Sequence, residues 1–190
     1  MKKLLLIMGD LATGKTTFAN ILSQRYNAIL FFKDSIKEAL GDTIGFSNRA
    51  ENLKLSRASA ELMYLIFRQF SKLDRDLILE SNFRVSELEQ LHAIASENGY
   101  QVLTLVLNGD AEVLYPRFLN RKNNENRHSV HLCGSFDTLE DFRGYLQSLR
   151  ADIPGPSIRV NANDFSYQND PALLASIDAF MGEGSAECRR

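Results

Sequence analysis

The sequence predicts an α/β protein in which a five-stranded parallel sheet carries helices on both faces. Five short segments are apolar on both alternating sets of positions, as in parallel strands that are covered on both sides. Segments with helical periodicity separate them, and the first apolar segment leads through a glycine-containing loop into a helix. This alternation is typical of a sheet held between helix layers. The 190 residues are expected to form one domain, residues 1–190, without a linker.

The predicted strands are residues 3–8, 28–32, 77–80, 101–107 and 157–161. Five of the predicted helices are residues 16–26, 35–40, 51–73, 111–121 and 138–149. A sixth begins at the capping box Ser86-Glu87-Leu88-Glu89, and a seventh begins at Pro171, since proline suits the first helical position. In the longest helix an apolar stripe is expected to face the core: Leu55, Ala58, Leu62, Leu65, Ile66 and Leu73.

The loop after the first strand reads GDLATGKTT and fits the phosphate-binding pattern G-x-x-x-x-G-K-[ST]. Chance would produce this pattern in about one per cent of chains of this length. Gly9 and Gly14 let backbone N–H groups point at phosphate oxygens, and the helix that follows adds its positive end. Lys15 is expected to reach the β- and γ-phosphates, and the Thr16 hydroxyl is a candidate Mg²⁺ ligand. The predicted nucleotide contacts are Gly9, Asp10, Leu11, Ala12, Thr13, Gly14, Lys15, Thr16 and Thr17.

Two carboxylates follow the second and third predicted strands. Because the carboxyl ends of parallel strands share one crevice, Asp34 and Glu80 are expected to lie near the end of the nucleotide. Asp34 could deprotonate an attacking hydroxyl, or it could simply be the N-cap of the helix that begins at Ser35. Glu80 stands where a second carboxylate supports Mg²⁺, directly or through water. Lys37, one turn after Asp34, could hold a substrate anion or be solvated.

Arg117 and Arg121 are four residues apart on one predicted helix, so they project from the same face. Arg127 follows in a polar segment rich in Asn, Arg and His. A phosphoryl-transfer enzyme would use such a stretch, residues 117–136, as a lid that excludes water and neutralises the transferring group. The alternative is a solvated helix face followed by an exposed loop.

The composition excludes several functional classes. A net charge of −2 gives no dedicated electrostatic surface for nucleic acid or anionic membrane. Cys133 and Cys188 form no CxxC pair and are expected to be reduced thiols in a cytoplasmic protein. No apolar run approaches the roughly 20 residues that span a bilayer. The spacing of His128, His131 and Cys133 lacks a fourth ligand, so a metal site is not expected there.

Taken together, these motifs resemble those of the small P-loop kinases related to the 5′-hydroxyl polynucleotide kinase domain, chloramphenicol phosphotransferase, the zeta toxins and gluconate kinase. The resemblance covers nearly the whole chain and rests on GDLATGKTT, FFKDSIKEAL, LILESNFR, YPRFLNRKNNENRH and IRVNANDF. It implies a P-loop NTPase three-layer sandwich with strand order 2-3-1-4-5 and a lid after the fourth strand. It also implies ATP and Mg²⁺ as cofactors, and a monomer or homodimer.

The resemblance also implies roles for single residues. Lys15 and Thr16 match the phosphate and Mg²⁺ positions, and Asp34 matches the general base that activates the acceptor hydroxyl. Lys37 stands where polynucleotide kinases carry an arginine for a substrate phosphate, which keeps the charge and loses the bidentate fork. Arg117 and Arg121 match catalytic lid arginines, with Arg121 also a nucleotide contact.

Two further assignments are weaker matches to the family. Asn161 falls where related kinases pass near the adenine. Residues 41–73 should shape the acceptor pocket, and there Arg49 and Arg57 are candidate contacts for an anionic acceptor or surface charges. No branch of the family matches this segment closely enough to name the acceptor, although the composition favours a small molecule over nucleic acid.

The leading hypothesis is therefore an ATP-dependent kinase that phosphorylates a hydroxyl group. A second hypothesis is a regulatory P-loop protein that binds and hydrolyses nucleotide. Against a GTPase, Leu107-Asn108-Gly109-Asp110 lacks the lysine and the spacing of the N-K-x-D guanine signature. A third hypothesis is a zeta-toxin-like kinase of a sugar nucleotide. Expression of such a toxin should arrest growth, and Asp34→Ala should relieve the arrest.

Overall fold

The computed structural model describes residues 1–124, 127–131, 136–150 and 152–182. In this part of the chain five parallel strands form one sheet in the order β2-β3-β1-β4-β5, so the predicted fold class and strand order are confirmed. The strands are β1 Lys2–Gly9, β2 Ile29–Phe32, β3 Leu77–Glu80, β4 Tyr100–Asn108 and β5 Ser157–Asn161.

Seven helices connect and follow these strands within the described ranges. They are α1 Lys15–Tyr26, α2 Lys33–Ile44, α3 Arg49–Phe70, α4 Val85–Glu97, α5 Ala111–Asn124, α6 Leu139–Leu149 and α7 Pro171–Met181. Short 3₁₀ turns occupy Ser129–His131 and Ser166–Asn169. None of these helices is long and apolar enough to cross a membrane.

The central strand β1 divides the apolar core between the two faces of the sheet. Leu4 and Leu6 face a cluster with α3 and α4, whereas Leu5 and Ile7 face a cluster with α1 and α7. This alternation is why β1 is apolar at every position from Leu4 to Met8. A third cluster joins α5 and α6 at the carboxyl end of the sheet: Ala12, Ala111, Leu114, Phe118, Phe142 and Leu146.

Two local predictions were wrong. The buried face of α3 is not the predicted stripe, since Leu65 and Leu73 are 51% and 49% exposed. The helix instead buries Asn52, Leu55, Ser59, Ala60, Met63, Tyr64 and Phe67. Ser86 also does not cap α4: the N-cap is Arg84, two residues earlier, and the N–H of Arg84 donates to Glu87 Oε2 at 2.9 Å. Periodicity identifies a helix, but the packing partners decide which face is buried.

A glycine is required at position 9, at the end of β1, by the backbone conformation there and by the close approach of Leu107. Its φ is 136°, and a Cβ there would lie 2.0 Å from the carbonyl oxygen of Leu107 on β4. We expect Gly9→Ala to lower the free energy of unfolding by about 2–4 kcal/mol. Gly144→Ala in α6 is the matched control, because a Cβ there meets nothing within 4 Å. It should raise stability by about 0.5–1 kcal/mol. Urea denaturation measures both, and equal stability of Gly9→Ala and wild type would contradict the prediction.

Candidate active site

The phosphate loop lies between β1 and α1, where the sequence predicted it. Gly14 is the N-cap of α1 with a φ of 84°, which a glycine adopts without strain. The loop is braced by its own groups, since Thr13 Oγ1 donates to the carbonyl of Asp10 at 2.8 Å. The hydroxyl of Tyr167, in the turn before α7, donates to the carbonyl of Thr13 at 2.7 Å. The backbone is therefore held with the positive end of α1 at the loop.

Lys15 lies folded back onto the loop. Its Nζ donates to the carbonyl of Asp10 at 2.7 Å and to that of Gly9 at 3.3 Å. Burial lowers the pKa of Lys15, and the nearby carboxylates of Glu80 and Asp34 partly offset this effect. A partly desolvated ammonium group that is hydrogen-bonded only to neutral carbonyls in the described structure can exchange these for charged phosphate oxygens.

Thr16 and Glu80 form the pair expected for a metal. The Thr16 hydroxyl donates to Glu80 Oε2 at 3.1 Å, and Glu80 is buried at the end of β3. Burial raises the pKa of Glu80, while Lys15 and the Thr16 hydrogen bond act in the opposite direction. One hydroxyl and one carboxylate suit Mg²⁺, which prefers oxygen ligands and keeps part of its shell for water and phosphate. Within the described ranges, no three His, Cys, Asp or Glu side chains cluster as ligands of another metal site.

Asp34 lies in the first turn of α2, directly after β2. The alternative that it is the N-cap of this helix is wrong, because Phe32 occupies the N-cap position. Asp34 is exposed and close enough to Lys15 to raise the pKa of that residue. Asp34 therefore presents a carboxylate oxygen beside the phosphate loop.

One cleft of about 610 Å³ collects these groups. Of the site residues predicted from the sequence, it brings together residues 11–17 of the phosphate loop with Asp34, Glu80, Arg117 and Arg121. The lining residues are Leu11, Ala12, Thr13, Gly14, Lys15, Thr16, Thr17, Asp34, Glu80, Asn82, Arg117, Phe118, Asn120, Arg121, Arg127, Phe165 and Gln168.

The two arginines of α5 have different surroundings. Arg117 donates from Nη1 to the carbonyl of Ala162 at 3.0 Å and from Nη2 to that of Asn163, and its guanidinium lies 4.5 Å from the centre of the Phe165 ring. Arg117 thus holds the loop after β5 against the cleft. Arg121 is the arginine whose charge acts on Lys15 and Glu80.

Lys37 contacts the segment after α5 and is not among the residues that line the cleft. Lys37 Nζ donates to Asn52 Oδ1 at 2.8 Å and to the carbonyl of Val130 at 3.2 Å. The buried Val130 side chain faces Gly41 on α2, where a Cβ would lie 2.4 Å from Val130 Cγ1. Residues 127–131 are therefore docked on α2 and α3, and Lys37 contributes to this docking.

His128 and His131 add to the same contact. Their Nε2 atoms each lie 2.8 Å from a carboxylate of α2, Asp42 for His128 and Glu38 for His131. Cys133, the third member of the spacing considered as a metal site, lies outside the described residues, as does Cys188.

Five other predicted residues are not among those that line the cleft in the described chain: Gly9, Asp10, Arg49, Arg57 and Asn161. Arg49 and Arg57 are exposed on α3. Asn161 accepts from the N–H of Asn163 at 2.9 Å and shapes the loop after β5. Asp10 belongs to the phosphate loop, but its carboxylate is fully buried and faces Gly109 and Arg150.

Five residues that line the cleft were not predicted from the sequence: Phe165, Gln168, Asn82, Phe118 and Asn120. Phe165 is 48% exposed, unusual for a large aromatic side chain, and a Cβ on Gly14 would lie 3.0 Å from its ring. A usable signal was present: Phe165 follows the end of β5, and Asn82 the end of β3, at the edge where ligands bind.

Comparisons with known proteins agree with this geometry. A family model described as AAA domain matches residues 4–142. A search of curated proteins returned no match. Among solved structures, a candidate kinase from Chloroflexus aurantiacus is similar with a TM-score of 0.79 and 25% sequence identity, covering 94% of this chain and 98% of that one.

Two further structures share the fold at lower identity. A gluconokinase from Sinorhizobium meliloti superposes with a TM-score of 0.58 at 12% identity, covering 93% of this chain and 92% of that one. A shikimate kinase from Bacteroides thetaiotaomicron gives a TM-score of 0.59 at 15% identity, covering 93% and 97%. Since the family model covers well over half of the chain and these structures share its topology, the protein belongs to the AAA domain family and has the fold of the P-loop kinases.

Proposed function

We propose that the protein is an ATP- and Mg²⁺-dependent phosphotransferase that moves the γ-phosphate of ATP to a hydroxyl group of a small molecule. One observation carries the proposal: a single cleft joins the phosphate loop to an exposed carboxylate, Asp34, and to the arginine-bearing helix α5. A protein that only binds nucleotide needs the loop, whereas transfer to an alcohol also needs a base and charge neutralisation beside it.

Several residues of the cleft have roles in the proposed reaction. The phosphate loop and Lys15 bind the β- and γ-phosphates. Thr16 and Glu80 would hold Mg²⁺, which would neutralise charge on the phosphate oxygens. Asp34 takes the proton of the acceptor hydroxyl while the oxygen of that hydroxyl forms a bond to the γ-phosphorus. The bond from that phosphorus to the bridging oxygen breaks, and ADP leaves. Arg121 neutralises the charge that spreads over the phosphoryl oxygens.

We further propose that residues 1–190 form a single domain and that residues 117–136 act as a lid over the cleft. The described part of this segment supports the idea, since α5 lines the cleft and residues 127–131 dock on α2, which carries Asp34. Closure would exclude water and favour transfer over hydrolysis. Residues 125–126 and 132–135 lie outside the described chain.

The size of the cleft supports a small acceptor. A volume of about 610 Å³ lies in the usual range for small-molecule sites, and it must also hold the nucleotide. Lys37, which would meet the phosphate of a polynucleotide by analogy, donates instead to Asn52 and Val130.

An ATP-consumption screen tests this function. It should cover small hydroxylated metabolites, nucleosides, antibiotics and 5′-hydroxyl oligonucleotides, with phosphorylated products identified by mass spectrometry. We expect at least one small alcohol to accelerate ADP release and to gain one phosphate. Slow hydrolysis that no acceptor accelerates would instead favour a regulatory nucleotide-binding protein. Phosphorylation of a sugar nucleotide would favour the toxin-like hypothesis.

Phe165 is expected to stack on the base of the nucleotide, because its exposed ring lies beside Arg117 and Gly14 at the rim of the cleft. Stacking on an aromatic ring contributes about 1–3 kcal/mol per base, so Phe165→Ala should weaken ATP binding by about 5- to 150-fold. Leu65→Ala, at an exposed position of α3 outside the lining, is the control. Calorimetric titration with ATP measures both, and unchanged affinity in Phe165→Ala would exclude the stacking role.

A further inference from the structure

The phosphate loop contains a buried charge that faces away from the cleft. Asp10 is 0% exposed, and its Oδ2 accepts from the N–H of Gly109 at 3.0 Å and from Arg150 Nη2 at 2.6 Å. A buried carboxylate without a cation is costly, and removing one partner of such a pair leaves the other charge uncompensated. The conformation of the loop at Asp10 therefore depends on Arg150.

Arg150 joins three segments of the chain. It follows α6 as the C-cap residue, and the nitrogen that binds Asp10 also donates to the carbonyl of Gly109 at 2.6 Å. Gly109 lies in the turn between β4 and α5, so this contact ties the phosphate loop to the beginning of the arginine-bearing helix. The Arg150 side chain is 39% exposed, whereas that of Asp10 is buried. Loss of Arg150 would therefore leave the Asp10 carboxylate buried without its cation.

Asp10 in turn fixes the phosphate-binding side of the loop. Its backbone carbonyl accepts from Lys15 Nζ and from Thr13 Oγ1. Ala12, two residues further, packs in the same apolar cluster as α5 and α6. A displacement of Asp10 would therefore move both the groups that bind phosphate and their support by α6.

We infer that Arg150 is a positioning residue that, through the Asp10 carboxylate, keeps the phosphate loop in its nucleotide-binding conformation. This inference rests on the proposed function only in that the loop binds a nucleotide. Arg150 has no direct contact with the cleft in the described structure, since it is not among the lining residues. Its effect is on nucleotide affinity through the loop.

The test compares Arg150→Met with Arg143→Met. Arg143 lies on α6, the helix that Arg150 caps, and forms ion pairs with Glu112 and Glu140, carboxylates that are 59% and 80% exposed. We expect Arg150→Met to raise the dissociation constant of MgADP by about 10- to 100-fold, because small displacements of binding groups have effects of this size. Arg143→Met should change it less than about twofold. Titration of fluorescent MgADP is made at a temperature where circular dichroism shows every variant folded.

A charge-balanced double variant separates positioning from general damage. Asp10→Asn combined with Arg150→Met removes both charges and leaves an oxygen that can accept from Gly109. Its MgADP affinity should return to within about fivefold of wild type, and Arg150→Lys should be intermediate. If Arg150→Met does not fold, Arg150→Lys and the double variant are compared with wild type in the same titration.

The possible outcomes distinguish the two proposals. Wild-type affinity in Arg150→Met, an equal loss in Arg143→Met, or no recovery in the double variant would each overturn the positioning role while leaving the proposed function intact. Failure of the wild-type protein to bind MgADP would overturn the proposed function, and the positioning role with it.

Discussion

Lys15→Met is expected to lose phosphate transfer by a factor of about 10³ or more, because it removes the charge that pairs with the β- and γ-phosphates. The unliganded variant should remain folded. Burial lowers the pKa of Lys15, and its described hydrogen bonds are to neutral backbone carbonyls. Methionine keeps much of the apolar stem without the cost of burying a charge, so the unfolding temperature should be equal to that of wild type or higher.

The decisive measurement combines ADP release with thermal unfolding at several ATP concentrations. A ligand at 100 times its dissociation constant stabilises the folded state by about 2.7 kcal/mol. Wild type should show such an increase, whereas Lys15→Met should show much less at the same ATP concentration. Lys54→Met, at an exposed position of α3, is the control and should behave as wild type. Transfer by Lys15→Met within about tenfold of wild type would contradict the role of Lys15.

The fold was largely predictable because its signals are local. The central strand β1 is apolar on both faces, and GDLATGKTT needs only its own nine residues to be recognised as a phosphate loop. The positions of Asp34 and Glu80 beside the loop followed from one general rule, that the carboxyl ends of parallel strands share an edge. The structure brings both into the cleft that contains Lys15.

The remaining features depend on contacts between distant parts of the chain. Nothing near Lys37 in sequence indicates that it meets Val130, which is 93 residues away. Asp10 and Arg150 are 140 residues apart, so the sequence pattern assigned Asp10 to the nucleotide while the fold buries its carboxylate against Arg150. Similarly, the buried face of α3 was misassigned because its packing against α2 and α4 selects the face, including the polar Asn52 and Ser59.

Asp34→Asn is expected to lower the rate of transfer by about 10²- to 10⁴-fold while nucleotide affinity changes little. Asparagine has nearly the same shape but cannot take a proton from the acceptor hydroxyl. The loss should therefore appear in kcat, with a KM for ATP close to that of wild type. Asp34→Glu, which keeps the carboxylate and displaces it by one methylene, should recover part of the rate.

Asp42→Asn is the matched control for this variant. Asp42 lies on the same helix two turns later, and its side chain is 73% exposed and bonded to His128. It should transfer phosphate at nearly the wild-type rate, so a comparable loss in Asp42→Asn would point to disruption of α2 instead of removal of a base. Wild-type transfer by Asp34→Asn would exclude Asp34 as the base. Because Asp34→Asn should keep the ATP-induced stabilisation that Lys15→Met loses, the two variants together separate nucleotide binding from phosphate transfer.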